Sequence, residues 1–131
     1  MLNYYLLLCL ILINSQLIFG QEKNIFDYLP DNNEHFLYHD DWGRNNYIKL
    51  LNQFNSSPLK RGDIIFLGNS ITAEGKNWSV RLNNPNIRNR GIGGDTTDGV
   101  LARTGEIVDS KPTAVFLLIG INDLYLSLIH I

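Results

Sequence analysis

Ile64-Ile65-Phe66-Leu67-Gly68-Asn69-Ser70-Ile71-Thr72 decides the fold of this chain. Asp63–Leu67 has the apolar character of a buried strand, and a glycine and two short polar residues follow where the backbone must turn toward a helix. The hydroxyl of Ser70 is thereby set at the C-terminal end of the strand, the edge where open α/β sheets place their chemistry. Two later segments repeat the arrangement. Asn89-Arg90-Gly91-Ile92-Gly93-Gly94-Asp95-Thr96 follows a short strand around Ile87–Asn89, and Gly120-Ile121-Asn122-Asp123 follows Ala114–Ile119. Three polar or glycine-rich signatures, each behind an apolar strand, are expected to converge on one line above a sheet.

The segments between them read as helices. One is expected shortly after Ser70. Thr96-Thr97-Asp98 offers N-caps for another through about Val108, with Val100, Leu101 and Ile107 at helical spacing and Lys111-Pro112 as its end. Thr113–Ile119 is nearly all apolar, as a strand covered on both faces should be. Upstream, Tyr47–Phe54 carries apolar residues at 47, 48, 50, 51 and 54, one face of a helix closed by Asn55-Ser56-Ser57-Pro58. Leu29-Pro30-Asp31-Asn32-Asn33 reads as a turn. Strand, helix, strand, helix, strand predicts a parallel sheet flanked by helices. Asp95 and Asp123 are expected to cap a helix or pin a loop, and Arg103 to face a helix surface without a role.

At 131 residues the chain has room for one small domain, and its start reads as something else. Met1–Gly20 holds no charged residue, carries the apolar core Tyr4–Ile13 and closes on Gly20 before the polar Gln21-Glu22-Lys23, the pattern of a secretory signal peptide. The apolar run falls short of the roughly 20 residues that span a bilayer, and Asn14, Ser15 and Gln16 interrupt it, so no stable membrane anchor is expected. The chain therefore divides into a signal peptide (1–20), an N-terminal extension with a helix (21–61) and a domain portion (62–131), with a secreted product, periplasmic or extracellular, starting at Gln21. Cys9 is the only cysteine and lies in the leader, which excludes disulfides and thiol chemistry from the mature chain. A net charge of −2 with interspersed signs gives no footprint for nucleic acid.

Several familiar phosphate and hydrolase motifs fail. Gly75-Lys76 lacks the glycine of a phosphate-binding loop at position 70 and its hydroxyl residue at 77; Gly91-x-Gly93 lacks a third glycine at 96. The elbow Gly-x-Ser-x-Gly fails at Thr72. Taken together, Gly-Asn-Ser-Ile-Thr, Asn-Arg-Gly-Ile-Gly-Gly-Asp-Thr-Thr and Gly-Ile-Asn-Asp resemble, in order and spacing, the first three sequence blocks of the SGNH hydrolases, or GDSL esterases. The resemblance covers Gly62 to Leu124, and Asn69 matches the acetylhydrolase-like branch.

That resemblance implies a three-layer α/β/α, flavodoxin-like fold with a parallel sheet, incomplete at the C-terminus. It also implies a serine esterase acting on small acyl esters, acetylated carbohydrates among them, through an acyl-serine intermediate and with neither cofactor nor metal. By position, Ser70 is the nucleophile and donates its backbone N–H to an oxyanion hole, Gly94 supplies a second backbone N–H, and the Asn122 side-chain amide a third donor. The residue types suit that chemistry. Ester hydrolysis passes through a tetrahedral oxyanion that fixed dipoles stabilise without reorganising. Glycine at 94 lets backbone approach substrate with no Cβ in the way, and asparagine at 122 is a neutral donor where a carboxylate would repel the developing charge.

A serine hydroxyl needs a base to take its proton. The family supplies it from an Asp-x-x-His motif beyond the asparagine block, and none follows Asn122 here. His130 lies in an apolar tail without a positioned carboxylate partner, and His35 and His39 precede the nucleophile, contrary to family order. The tail Leu124–Ile131 has no cap, turn or charge and reads as frame-end sequence, so the expectation for the chain as written is an inactive fragment. The rival expectation is a non-catalytic binding protein that keeps the pocket and lacks the base.

Overall fold

The computed structural model describes residues 23–29 and 40–126. The leader with Cys9, most of the turn read at 29–33, His35, His39 and the tail with His130 lie outside the described residues. Three parallel strands, β1 (Ile64–Gly68), β2 (Ile87–Gly91) and β3 (Ala114–Leu118), form a sheet in the order β2-β1-β3. Gly68 is in register with both Gly91 and Leu118, so the three C-terminal ends finish level.

The connections carry the helices that parallel pairing requires. After α1 (Asp41–Asn55), β1 passes to β2 through α2 (Ser70–Glu74) and α3 (Trp78–Arg81); β2 passes to β3 through α4 (Thr97–Ala102) and α5 (Thr104–Ser110). A last helix, α6 (Ile121–Tyr125), follows β3. Alternation along β1 assigns the two faces. Ile65 and Leu67 are buried against Val100 and Ile107 of α4 and α5. Phe66, on the opposite face, meets the Trp78 ring at 5.0 Å and the Phe116 ring at 5.2 Å. The molecule is thus an α/β fold of three layers. Its chain steps from the central strand to one side and returns to the other, so the strand order reverses between β1 and β3.

The helix boundaries follow local chemistry. Asp40 caps α1 by accepting from Gly43 N–H at 2.7 Å, and Gly43, Tyr47, Leu51 and Phe54 make its buried stripe. With Ile25 and Ile92, three of those residues form a second core beside the sheet. Thr96 caps α4, and Lys111 closes α5 in the left-handed region at φ 50°, as the Thr96 and Lys111-Pro112 signals predict. The single helix expected through Val108 is instead two, broken at Arg103. Asn24 and Asp27 cap a 3-10 turn at Ile25–Tyr28. Asp109 accepts from Lys23 at 2.9 Å and from the Tyr28 hydroxyl at 3.0 Å. Those two hydrogen bonds, Lys23 first, hold the exposed Asp109 carboxyl below its usual pKa.

β3 departs from expectation. Its apolar run predicts cover on both faces, yet it is an edge strand of the described sheet, with Phe116 59 % and Leu117 58 % exposed. Only its β1 side is paired by described residues.

Helix α2 sits close on β2. A Cβ added at Gly91 would lie 2.2 Å from the Ala73 backbone nitrogen and 2.8 Å from the Thr72 carbonyl carbon, backbone atoms that cannot swing away. Gly91→Ala is therefore expected to push α2 off the sheet and cost about 1–3 kcal/mol or more, as overpacking does. Urea unfolding checks this; an unchanged midpoint contradicts the close approach.

Candidate active site

The three signatures meet at the C-terminal edge of the sheet. Neighbouring strands stand about 4.8 Å apart, so the segments leaving β1, β2 and β3 emerge side by side, with that of β1 in the middle. Ligands of open α/β sheets bind at this edge, where strand order reverses. Here that crevice lies between Ser70, two residues past β1, and Asn122, four residues past β3.

Asn69 ends the first strand segment, fully buried, and its side-chain oxygen caps α2 by accepting from Ile71 N–H at 3.1 Å. Its amide nitrogen has no hydrogen-bond partner among the described residues. Ser70 thereby becomes the first residue of α2 rather than preceding the helix, half-buried, with its backbone N–H in the unpaired first turn. Asn89, from the second signature, fastens that helix to β2. Its amide donates to the Thr72, Ala73 and Lys76 carbonyls at 3.0–3.3 Å, while its oxygen accepts from Gly91 N–H at 2.8 Å.

Gly94 takes φ +82° in a turn closed by Asp95 N–H to Ile92 O at 3.2 Å. A positive φ at the third position of such a turn is what glycine supplies at no steric cost. The turn is tied to the neighbouring strand by Ile92 N–H to Gly68 O at 2.9 Å. The third signature closes on the second: Asn122 Nδ2 donates to the Asp95 carbonyl at 2.8 Å. One amide hydrogen is engaged there, and the second is available to another acceptor. Asp123, 2 % exposed, accepts from the Thr97 backbone N–H at 3.0 Å and from its hydroxyl, pinning the start of α4. Asp123 is structural, as its sequence position leads one to expect.

Arg103 corrects its reading as a surface residue. It is 1 % exposed and forms a buried ion pair with Asp95 at 2.8 Å. Its other donors reach Arg90 O at 2.8 Å and Gly68 O at 3.2 Å, joining the ends of β1 and β2 to the Gly94-Asp95 turn. A second buried pair, Arg90–Glu106 at 2.8 Å, lies beneath, with the guanidinium 4.6 Å over the Phe54 ring. No spacing rule in the sequence distinguishes these arginines from solvated ones; the acidic neighbours Asp95 and Glu106 are the only hint. Burial, and secondarily the Asp95 charge, pushes the Tyr47 hydroxyl well above its ordinary pKa, and it donates to Gly99 O at 2.7 Å as a neutral group.

Gly94 and Asn122 line one open cavity of about 250 Å³ together with Asp40, Trp42, Gly43, Tyr125 and Leu126. Ser70, the first residue of α2, is outside that lining. All three histidines lie outside the described residues. No group of three or more His, Cys, Asp or Glu suited to a metal occurs among the described residues. No protein-family model matches the chain, and no curated protein is similar to it at a significant level.

Removing the Arg103 guanidinium takes the positive charge of that ion pair away from the buried Asp95 carboxylate. Arg103→Met is expected to cost about 3–5 kcal/mol, and adding Asp95→Asn to recover part of it. Chemical denaturation of both variants measures this; a loss below about 1 kcal/mol for the single variant contradicts the clamp.

Proposed function

We propose that the protein carries the site of a serine ester hydrolase of SGNH type, with Ser70 as nucleophile and the Ser70 N–H, Gly94 N–H and Asn122 amide as oxyanion donors. The observation that carries this reading is the Asn122–Asp95 hydrogen bond. It brings the third signature onto the second, whose turn is itself tied to the end of β1, two residues before Ser70, by Ile92 N–H to Gly68 O. Attack of the Ser70 oxygen on an ester carbonyl forms a C–O bond as the hydroxyl gives up its proton, and puts negative charge on the former carbonyl oxygen. Collapse breaks the bond to the alcohol, which leaves with that proton, and water then releases the acid from the acyl-serine and restores the Ser70 hydroxyl. Backbone donors held by a turn and a helix start, with an amide fixed by its own hydrogen bond, need no reorganisation as that charge develops. The resemblance of the three blocks points to small acyl groups, acetyl esters of carbohydrates among them, and the leader-like Met1–Gly20 to an exported enzyme.

A second reading is a binding protein that keeps the pocket without turnover, favoured by the position of Ser70 outside the cavity that Gly94 and Asn122 line. Two variants separate the readings. In a form that also carries the Asp-x-x-His base, Ser70→Ala should abolish hydrolysis of p-nitrophenyl acetate and acyl-enzyme formation. Asn122→Ala should lower turnover about 100- to 1,000-fold with a smaller effect on KM. Full turnover in Asn122→Ala overturns the oxyanion assignment, and the absence of any Ser70-dependent hydrolysis in the parent protein favours the binding protein.

A further inference from the structure

Trp42 is out of place as a packing residue. The buried stripe of α1 runs through Gly43, Tyr47, Leu51 and Phe54, and Trp42 lies off it, 64 % exposed. Its benzo edge instead lies against the Gly93-Gly94 turn. A Cβ at Gly94 would be 3.7 Å from Trp42 Cζ3, and one at Gly93 3.6 Å from Cη2. The helix is fixed in that position by Asn46 Nδ2, which donates to Gly93 O at 3.1 Å, and by the Tyr47–Gly99 hydrogen bond at 2.7 Å. A large aromatic thus stands against that turn and in the lining of the cavity that Gly94 and Asn122 share, without serving the core.

The lining has two characters. Trp42, Tyr125 and Leu126 make it apolar, and Asp40, the Gly94 backbone and the Asn122 amide make it polar. One Asp40 oxygen is engaged by Gly43 N–H, and the carboxylate keeps further acceptor sites for hydroxyl donors. At about 250 Å³ the cavity is below the roughly 300–1,000 Å³ of pockets for drug-sized ligands, a size for one ring rather than a long chain. A ligand with an apolar face and hydroxyls around its rim matches that mixture. The Asp40 charge would draw a quaternary cation too, but such a cation gains most from desolvated aromatic faces, whereas Tyr125 is 87 % exposed and Trp42 64 %.

We infer that this cavity is the seat of the alcohol part of the substrate, a neutral pyranose ring stacked on the Trp42 indole with its hydroxyls on Asp40. The assignment rests on the ester-hydrolase reading for its orientation, with the ester carbonyl at the Gly94–Asn122 end and the ring at the Trp42 end. The test reads binding, so it needs no turnover. Methyl β-D-glucopyranoside is titrated into the ¹⁵N-labelled protein while the Trp42 indole N–H and the Gly94 amide are followed, with choline chloride as the cationic comparison. Both signals should move saturably with the glycoside and the Trp78 indole should stay still. Trp42→Ala, at an exposed position, and Asp40→Asn, which keeps an N-capping side chain, should each weaken binding at least tenfold. Trp42→Phe should retain part of it.

No saturable shift, a response to choline alone, or undiminished affinity in Trp42→Ala overturns the subsite. Loss of Ser70-dependent hydrolysis with glycoside binding intact counts instead against the ester reading and leaves the ring site standing.

Discussion

The buried pair of Arg103 and Asp95 is the constraint on which the candidate site depends. A guanidinium presents five donors in a rigid fork, and here that fork reaches Asp95, the Arg90 carbonyl and the Gly68 carbonyl together. Those carbonyls close two adjacent strands, and Asp95 follows the turn that carries Gly94. One side chain therefore sets the turn's position relative to the strand that leads into Ser70. Lysine, a point charge on a flexible stem, could not fix all three directions. Arg103 also stands at the break between α4 and α5, and its side chain runs to the strand ends.

Around that pair the other signatures lock in sequence. Asn122 donates to the Asp95 carbonyl, Asp123 accepts from Thr97, and Asn89 holds α2 to β2. Each polar residue satisfies backbone groups that a turn, a helix start or a helix end leaves open, and buried open groups of that kind cost free energy. The residues with an obvious structural duty are thus the acids and Asn89. Ser70, the Gly94 N–H and the second hydrogen of the Asn122 amide have no such duty among the described residues, and a chemical role is proposed for them.

Much of this was legible in the sequence because it follows from local rules. The apolar runs at 63–67 and 113–119, the Thr96 cap, the Lys111-Pro112 end and the glycine at 94 each state a backbone requirement. The α/β architecture with a parallel sheet follows from their order. The buried arginines were not legible, because an arginine in a helical pattern reads the same whether it meets water or a strand-end carbonyl. The exposed face of β3 was not legible either, since an all-apolar run specifies what should cover a strand and not whether the described residues do. Trp42 had no pattern to distinguish it; its position emerges only once α1 is seated against the Gly93-Gly94 turn.

The central claim is that Ser70, Gly94 and Asn122 converge on one reacting oxygen. A crystal structure of a form of the protein that also carries the Asp-x-x-His base, after reaction with a fluorophosphonate, tests it most directly, because the adduct's phosphoryl oxygen stands where the oxyanion would. The account predicts a bond from Ser70 Oγ to phosphorus and that oxygen within hydrogen-bond distance of the Ser70 N–H, the Gly94 N–H and Asn122 Nδ2. An adduct whose oxygen touches neither Gly94 nor Asn122, or a Ser70 that takes no label, would contradict it.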